Sequence, residues 1–366
     1  MRDVYLYASA YHCLRILDCE YAYFDRIRIH SRPNRNNDGF HFNNSRYIHI
    51  DGCDVRCQDD ACALFGSNKF VTISNSSFST RWSIFRFGGG ESENITVTNC
   101  TIYETYGCVI KMGAGRGSRH ENMIFSNLIF RDVTGPISLG LSDQGRTPRP
   151  GQESRPSNPG IVRNIVFSNI RGNVVANGRQ YEDIHYEQSY RRGEMRTCIT
   201  LNSFGESYLE NITLSNIHLT FEGGGTAEEA ELRDVPLIAG EYFEIGARPA
   251  HGVYARNVRG LTIDNVRIET ETPDLRPAVI LDNVADANIS GLTTQGNPDA
   301  PSVLRCINTT DTLISSPRLL TPAAVYLAVE GNRSADITVD GGDIRKAGKQ
   351  SSFDRGATEK AARLRT

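Results

Sequence analysis

Asp38, Asp59 and Asp60 are the residues whose types and spacing best suit chemistry in this chain. Asp38 sits in Asn36-Asn37-Asp38-Gly39, and Asp59 follows it by 21 residues. The surrounding sequence repeats at about that interval. Residues one repeat apart in a coiled β-solenoid lie one above the other, so the spacing gathers three carboxylates on one patch. Like charges so placed repel and shift one another's pKa, which costs stability but suits acid–base work. Alone, Asn-Asp-Gly is a turn signal and an Asp pair is common at a surface. Their alignment across coils, with Lys111 two coils further on, argues for a site.

The elements that must hold this patch are legible as repeats. Apolar-alternating segments ending in Asn, Asp or Ser begin at residues 21, 47, 70, 95, 123, 165, 212, 261, 289, 313 and 337. Steps of 23 to 28 residues widen to 42, 47 and 49 between residues 123 and 261. That pattern predicts stacked coils with long loops inserted on one side. Alternation with β-branched residues predicts strands, and the intervening Gly, Asn and Asp predict turns. The expected fold is all-β, a single-stranded right-handed parallel β-helix of about ten or more coils. Asn75, Asn99, Asn127, Asn169, Asn216 and Asn265 recur at equivalent turns. Asn donates and accepts hydrogen bonds and tolerates left-handed backbone, so a structural ladder is expected there.

One domain is expected over residues 1–345, followed by a polar tail over 346–366 that is disordered or forms a short helix. The repeats start almost at Met1, without a capping element over the first coil, so an N-terminal portion is expected to be missing. Residues 1–7 carry no signal-peptide pattern. No apolar run approaches the ~20 residues that span a bilayer. A net charge of −3 gives no general affinity for nucleic acid. Nine cysteines make no disulfide framework, and none has zinc-site spacing with histidine, so no metal and no cofactor are expected. Eight Asn-x-Ser/Thr triplets largely coincide with the repeat turns and reflect the fold.

Asn36-Asn37-Asp38-Gly39, then Cys57-Gln58-Asp59-Asp60-Ala61-Cys62, then Gly107-Cys108-Val109-Ile110-Lys111 with Gly115-Arg116-Gly117, resemble the polygalacturonases of glycoside hydrolase family 28. That family carries N-T-D, D-D, G-H-G and R-I-K in this order on successive coils of a parallel β-helix. The resemblance implies that Asp59 is the general acid, and that Asp38 and Asp60 activate water on the opposite face. Such an inverting arrangement holds acid and base ~6.5–9.5 Å apart. Adjacent aspartates on a regular strand would point to opposite faces, so the pair must sit at a bend. Asn36 takes the place of the motif Asn, a sugar contact, and Lys111 that of the lysine that holds a substrate carboxylate.

The departures are specific. In Arg81-Trp82-Ser83-Ile84-Phe85-Arg86 the motif histidine is absent, with Ser83 aligned to it, and Val109 replaces the motif arginine. The tyrosine of the following coil falls at Asp143 or in the 142–145 loop. Arg81 and Arg86 are candidates to restore a cationic contact, and the single tryptophan, Trp82, to stack on a sugar or pack beneath the cleft. His41, His49, His120, His185, His218 and His251 show no partner pattern. The insertion 178–196, with Tyr181, Tyr186, Tyr190 and several arginines, and the loop 145–160 are expected to face an anionic glycan. The stretch 222–233 reads as an exposed excursion.

The expected function is an inverting glycoside hydrolase that cleaves α-linked, pectin-like or other acidic polysaccharide or oligosaccharide. A β-helix polysaccharide lyase and a non-catalytic glycan-binding solenoid are the alternatives. The expected state is a monomer without nucleic-acid or membrane partners, and the resemblance favours a secreted or periplasmic location.

Overall fold

Alternate residues of each repeat point inward and stack into apolar columns. Ile48, Val71, Ile95, Met123, Ile165, Ile212 and Leu261 are paired in register on successive coils, and all are essentially inaccessible to solvent. Burying one such side chain stabilises by roughly 1.5–3 kcal/mol, and no coil could bury its column alone. The computed structural model describes residues 1–115, 117–141, 160–188, 190, 192–204, 207–235 and 246–365. It is a right-handed parallel β-helix of about 13 turns.

A 12-stranded parallel sheet forms the face of interest, beginning with Leu14–Leu17, Phe40–Asn43, Cys62–Phe65, Ser83–Gly88 and Cys108–Ala114. The other faces belong to an 18-stranded sheet, whose strands Glu91–Thr105 to Val258–Thr270 run 13 to 15 residues. Each of these long strands turns a corner at an asparagine with left-handed φ: Asn99, Asn127, Asn169, Asn216 and Asn265. The expected ladder is present. Asn169 donates to Asn127 at 3.1 Å, and Asn265 donates to Asn216 at 3.2 Å.

A second corner lies outside the repeat's asparagine signal. Asn122, Asn164 and Asn211 also have left-handed φ and bond one another at 3.1 Å. On the first coils this corner is held by Tyr21, Tyr47 and Phe70 at φ 56–57°, a costly conformation for bulky residues. Their rings stack at 4.8 and 5.0 Å, which offsets part of that cost.

Two expectations need correction. The polar tail adds strands: Ala347–Asp354 pairs with Ala323–Glu330, and Ala362–Arg365 with Ala335–Asp340. Backbone pairing to the preceding coil outweighs its polar composition. The stretch 222–233 is also tied down. It forms a short helix, Ala227–Ala230, closed by a reciprocal Thr226–Glu229 cap, and buried Glu229 pairs with Arg196. The nine cysteines are free thiols. Among the described residues, no helix is long and apolar enough to cross a membrane.

Candidate active site

Parallel pairing turns sequence spacing into columns on the 12-stranded sheet. Phe40 is in register with Leu14 on one side and Cys62 on the other, and Cys62 with Phe85. Two residues earlier on each coil, His12, Asp38, Asp60 and Ser83 therefore form one column. The next column outward contains Arg15, His41, Ala63, Arg86, Lys111 and Ser138. The three expected carboxylates thus meet, with both cationic candidates of the neighbouring column on the coils that follow.

The turn between Asp54–Cys57 and Cys62–Phe65 supplies the bend that the aspartate pair requires. Asn37 builds it from the adjacent coil. Its carbonyl accepts from the Gln58 N–H at 3.1 Å and the Asp59 N–H at 3.0 Å. Its own amide is buried, donating to the carbonyls of Ser9 at 2.9 Å and Tyr11 at 2.7 Å. Asp59 accepts from the Asp60 N–H at 3.0 Å, and its carbonyl accepts from Thr80. Gly39 completes the approach: a Cβ there would lie 2.5 Å from the Ala61 carbonyl.

Asp38 and Asp60 are 4% and 5% exposed, which withdraws them from water. Burial, with the Asp60 charge beside it, pushes Asp38 up to about 8. Burial and then the charges of Asp60 and Asp38 push Asp59 up to about 8, against the pull of Lys111. Two carboxyl groups that hold protons near neutrality, beside a third, suit general acid–base work.

Histidines enter where the sequence suggested none. His41 Nδ1 lies 2.5 Å from Asp38 Oδ2, and His12 Nε2 lies 3.7 Å from the same oxygen. The signal was available: position 41 faces the outer column three residues after Asp38, and His12 aligns with Asp38 one coil earlier. Donor atoms of His12, Asp38 and His41 lie within 4.8 Å of one another, as metal ligands would. However, the two imidazoles are stacked, with centroids 4.2 Å apart and planes 15° from parallel. A ring nitrogen's lone pair lies in its ring plane, so two stacked rings do not converge on one ion. The cluster fits a shared proton better than a metal.

The substrate-binding candidates separate. A cleft of about 300 Å³ is lined by Arg35, Gln58, Asp59, Arg81, Trp82, Tyr186, Glu187 and Gln188. Trp82 forms its wall, with the Lys111 ammonium and the Arg81 guanidinium each 4.9 Å from the indole. Lys111 is buried beneath that ring, near Asp59. Arg81 lines this cleft too, and Glu194 of the long insertion holds its guanidinium at 3.0 Å in a buried pair. Arg86 is half-buried and donates to the Phe87 carbonyl at 2.6 Å. Asn36 is exposed, and its backbone N–H donates to Asn34 Oδ1, while the unassigned Asn37 does the structural work. Val109 is core, and Ser83 Oγ is buried with no hydrogen-bond partner among the described residues.

The insertion 178–196 folds back along the solenoid towards the first coils. Tyr181 donates to the Glu104 carbonyl at 2.5 Å, and Asp183 bonds His30 at 2.6 Å and Arg32 at 3.0 Å. The Arg32 guanidinium lies 3.7 Å above the Tyr181 ring, and Tyr106, Tyr181 and Ile184 bury a small apolar cluster. Tyr186, Glu187 and Gln188 are thereby brought to the cleft. Residues 142–159, with Asp143 and the three arginines of the loop 145–160, lie outside the described residues, as do Arg116 and Arg191. A second cavity of about 310 Å³ lies beside Asp274 and Arg276, several coils from the carboxylates. Of the two, the first cleft is the one that Asp59 lines, with Asp38 and Asp60 buried behind it.

Residues 1–233 match the family model of glycosyl hydrolases family 28. Polygalacturonase-2 of Solanum lycopersicum is 29% identical over 149 residues, covering 39% of this chain and 32% of that protein. Endopolygalacturonase B of Aspergillus niger is 27% identical over 150 residues, 39% of this chain and 40% of its own length. The matched region spans between about a third and two fifths of these relatives. Among solved structures, DFA-IIIase from Arthrobacter chlorophenolicus A6 superposes with a TM-score of 0.42 at 10% identity, covering 93% of this chain and 70% of that one.

Proposed function

The chain belongs to glycosyl hydrolases family 28, and from that premise we propose that it hydrolyses α-glycosidic bonds of a pectin-like or other acidic glycan with inversion. Asp59, held protonated by burial and by its neighbours, donates to the departing glycosidic oxygen. Asp60, together with Asp38 when the proton of Asp38 rests on its imidazole neighbour, takes the proton from a water molecule whose oxygen attacks the anomeric carbon from the opposite face. Arg86 offers positive charge for a substrate carboxylate, Lys111 adds its charge from beneath the Trp82 ring without reaching the surface, and Trp82 with Tyr186 offers aromatic surface to the sugar. Arg81 acts at one remove, holding the insertion against the cleft through Glu194. We read the enzyme as a monomer that works outside the cytoplasm and needs no cofactor.

The observation that carries this reading is the column that sets Asp38 beside Asp60 at the turn of Asp59, with Asp59 lining a cleft that Trp82 and Tyr186 also line. Incubation with defined pectic and related acidic polysaccharides, with NMR of the fresh product anomer, tests it. An inverted anomer is expected. A retained anomer or an unsaturated chain end overturns the mechanism, the latter in favour of a lyase.

A further inference from the structure

We propose that His41 is a positioning residue for Asp38: Nδ1 carries the proton that the buried pair retains, so that Asp38 presents a carboxylate to water while standing beside Asp60. The catalytic consequence rests on the hydrolytic reading above, whereas the shared proton rests on the geometry.

His41 Nδ1 and Asp38 Oδ2 are 2.5 Å apart, in direct hydrogen-bonding contact, and both side chains are largely shielded from water. The imidazole has little freedom to turn away. His12 stacks on it at 4.2 Å and Phe65 at 5.3 Å, which fixes the edge that faces Asp38. Charges face it from every side. Arg15 lies on the preceding coil and Asp60 on the following one, with Arg86 beyond Ala63 in the same column. His12 is pushed down to about 4 by burial, His41 and Arg15, so it is a neutral plate against His41.

Crowding supplies the need for this device. Asp59 must hold one proton to act as an acid, and leaving Asp38 and Asp60 both ionised in a dry site is unfavourable. Burial alone pushes Asp38 up and His41 down and so favours the carboxyl, while the Asp60 charge pulls both up; the pair therefore keeps one proton, which the close Nδ1–Oδ2 contact lets the imidazole take. With that proton on Nδ1, the pair is neutral overall and the carboxylate lone pairs remain available. During the displacement the water proton passes to the Asp38–Asp60 carboxylates, the Asp59 proton passes to the leaving oxygen, and the His41 proton stays in place.

The test uses His41→Asn, which can donate a hydrogen bond but cannot carry the proton, and His41→Phe, which keeps the stack without the bond. Without the proton carrier Asp38 binds protons more tightly, so the ascending limb of the kcat–pH profile should move up by about one unit or more in both variants. Below that limb kcat should fall about 10-fold or more, with KM within about twofold. A His41→Asn profile that coincides with wild type, or one that is merely lower without moving, overturns the proposal. Nitrogen-15 NMR of the histidines in Asp59→Asn protein decides independently of turnover. The His41 titration should change when Asp38→Asn is added, and a titration indifferent to that change overturns the shared proton. If wild type cleaves no glycan, the hydrolytic reading fails, while the NMR result still decides the proton.

Discussion

Asp38 and Asp60 stand side by side on adjacent coils, because Gly39 donates its backbone N–H to the Asp60 carbonyl at 3.0 Å and Phe40 pairs with Cys62. Two buried carboxyl groups are thus held together by sheet register, not by a flexible loop.

Asp59→Asn and Asp60→Asn should each lower glycan cleavage by about 10³-fold or more, since a general acid or base contributes roughly 10²–10⁴-fold. The melting temperature should stay near wild type or rise, because an amide replaces a buried carboxyl of nearly the same shape and can carry no charge into the crowded site. Reducing-end assays on the two variants check this. Unchanged cleavage in both sinks the hydrolase assignment.

Stability should fall as pH rises through the neutral range. Asp38 and Asp59 are each raised to about 8 in the folded chain, against ~3.9 unfolded, so the folded state binds protons more tightly. Their contribution is complete below about pH 4 and lost as pH climbs through about 8. The two titrate together, so the loss is at least about 2 kcal/mol without being twice that of a single site. Melting curves from pH 5 to 9 should slope downwards, and Asp38→Asn should flatten the slope.

Glu194→Ala should release the insertion without unfolding the coils. It takes the Glu194 carboxylate away from the buried Arg81 guanidinium, a change worth up to about 3–5 kcal/mol for a fully enclosed pair. Hydrogen exchange should quicken over 178–196 and not in the strand Glu91–Thr105, and KM should rise more than kcat falls. Uniform quickening along the solenoid would count against a local anchor.

Asn169→Ala should cost about 1–2 kcal/mol, because alanine at φ 55° meets a steric penalty that asparagine avoids. The bonds to Asn127 and from Asn216 are lost as well. Asn169→Gly keeps the backbone conformation and should lose less. Denaturant midpoints of the two variants distinguish backbone strain from the ladder itself.

The repeat period was legible because each inward column draws Val, Ile, Leu or Phe at a near-constant spacing, as Ile48, Val71 and Ile95 illustrate. The first-coil corner was not, because Tyr21, Tyr47 and Phe70 read as ordinary strand residues by type. The tail strands carry no such signal, because residues 347–354 are polar and half-exposed, and only pairing with Ala323–Glu330 makes them a coil.

By itself the sequence determined the solenoid and the meeting of Asp38, Asp59 and Asp60, because parallel register converts a spacing of one coil into contact. The tertiary structure alone decided the surroundings of that trio. His41 took its place through a bend at Gly39 and stacking against His12. Arg81 was committed to Glu194, 113 residues away, and Asp183 to His30, 153 residues away. Such contacts follow from how an insertion packs back over earlier coils, and no periodicity records them. The carboxylates were written in the spacing, and their partners were settled by packing.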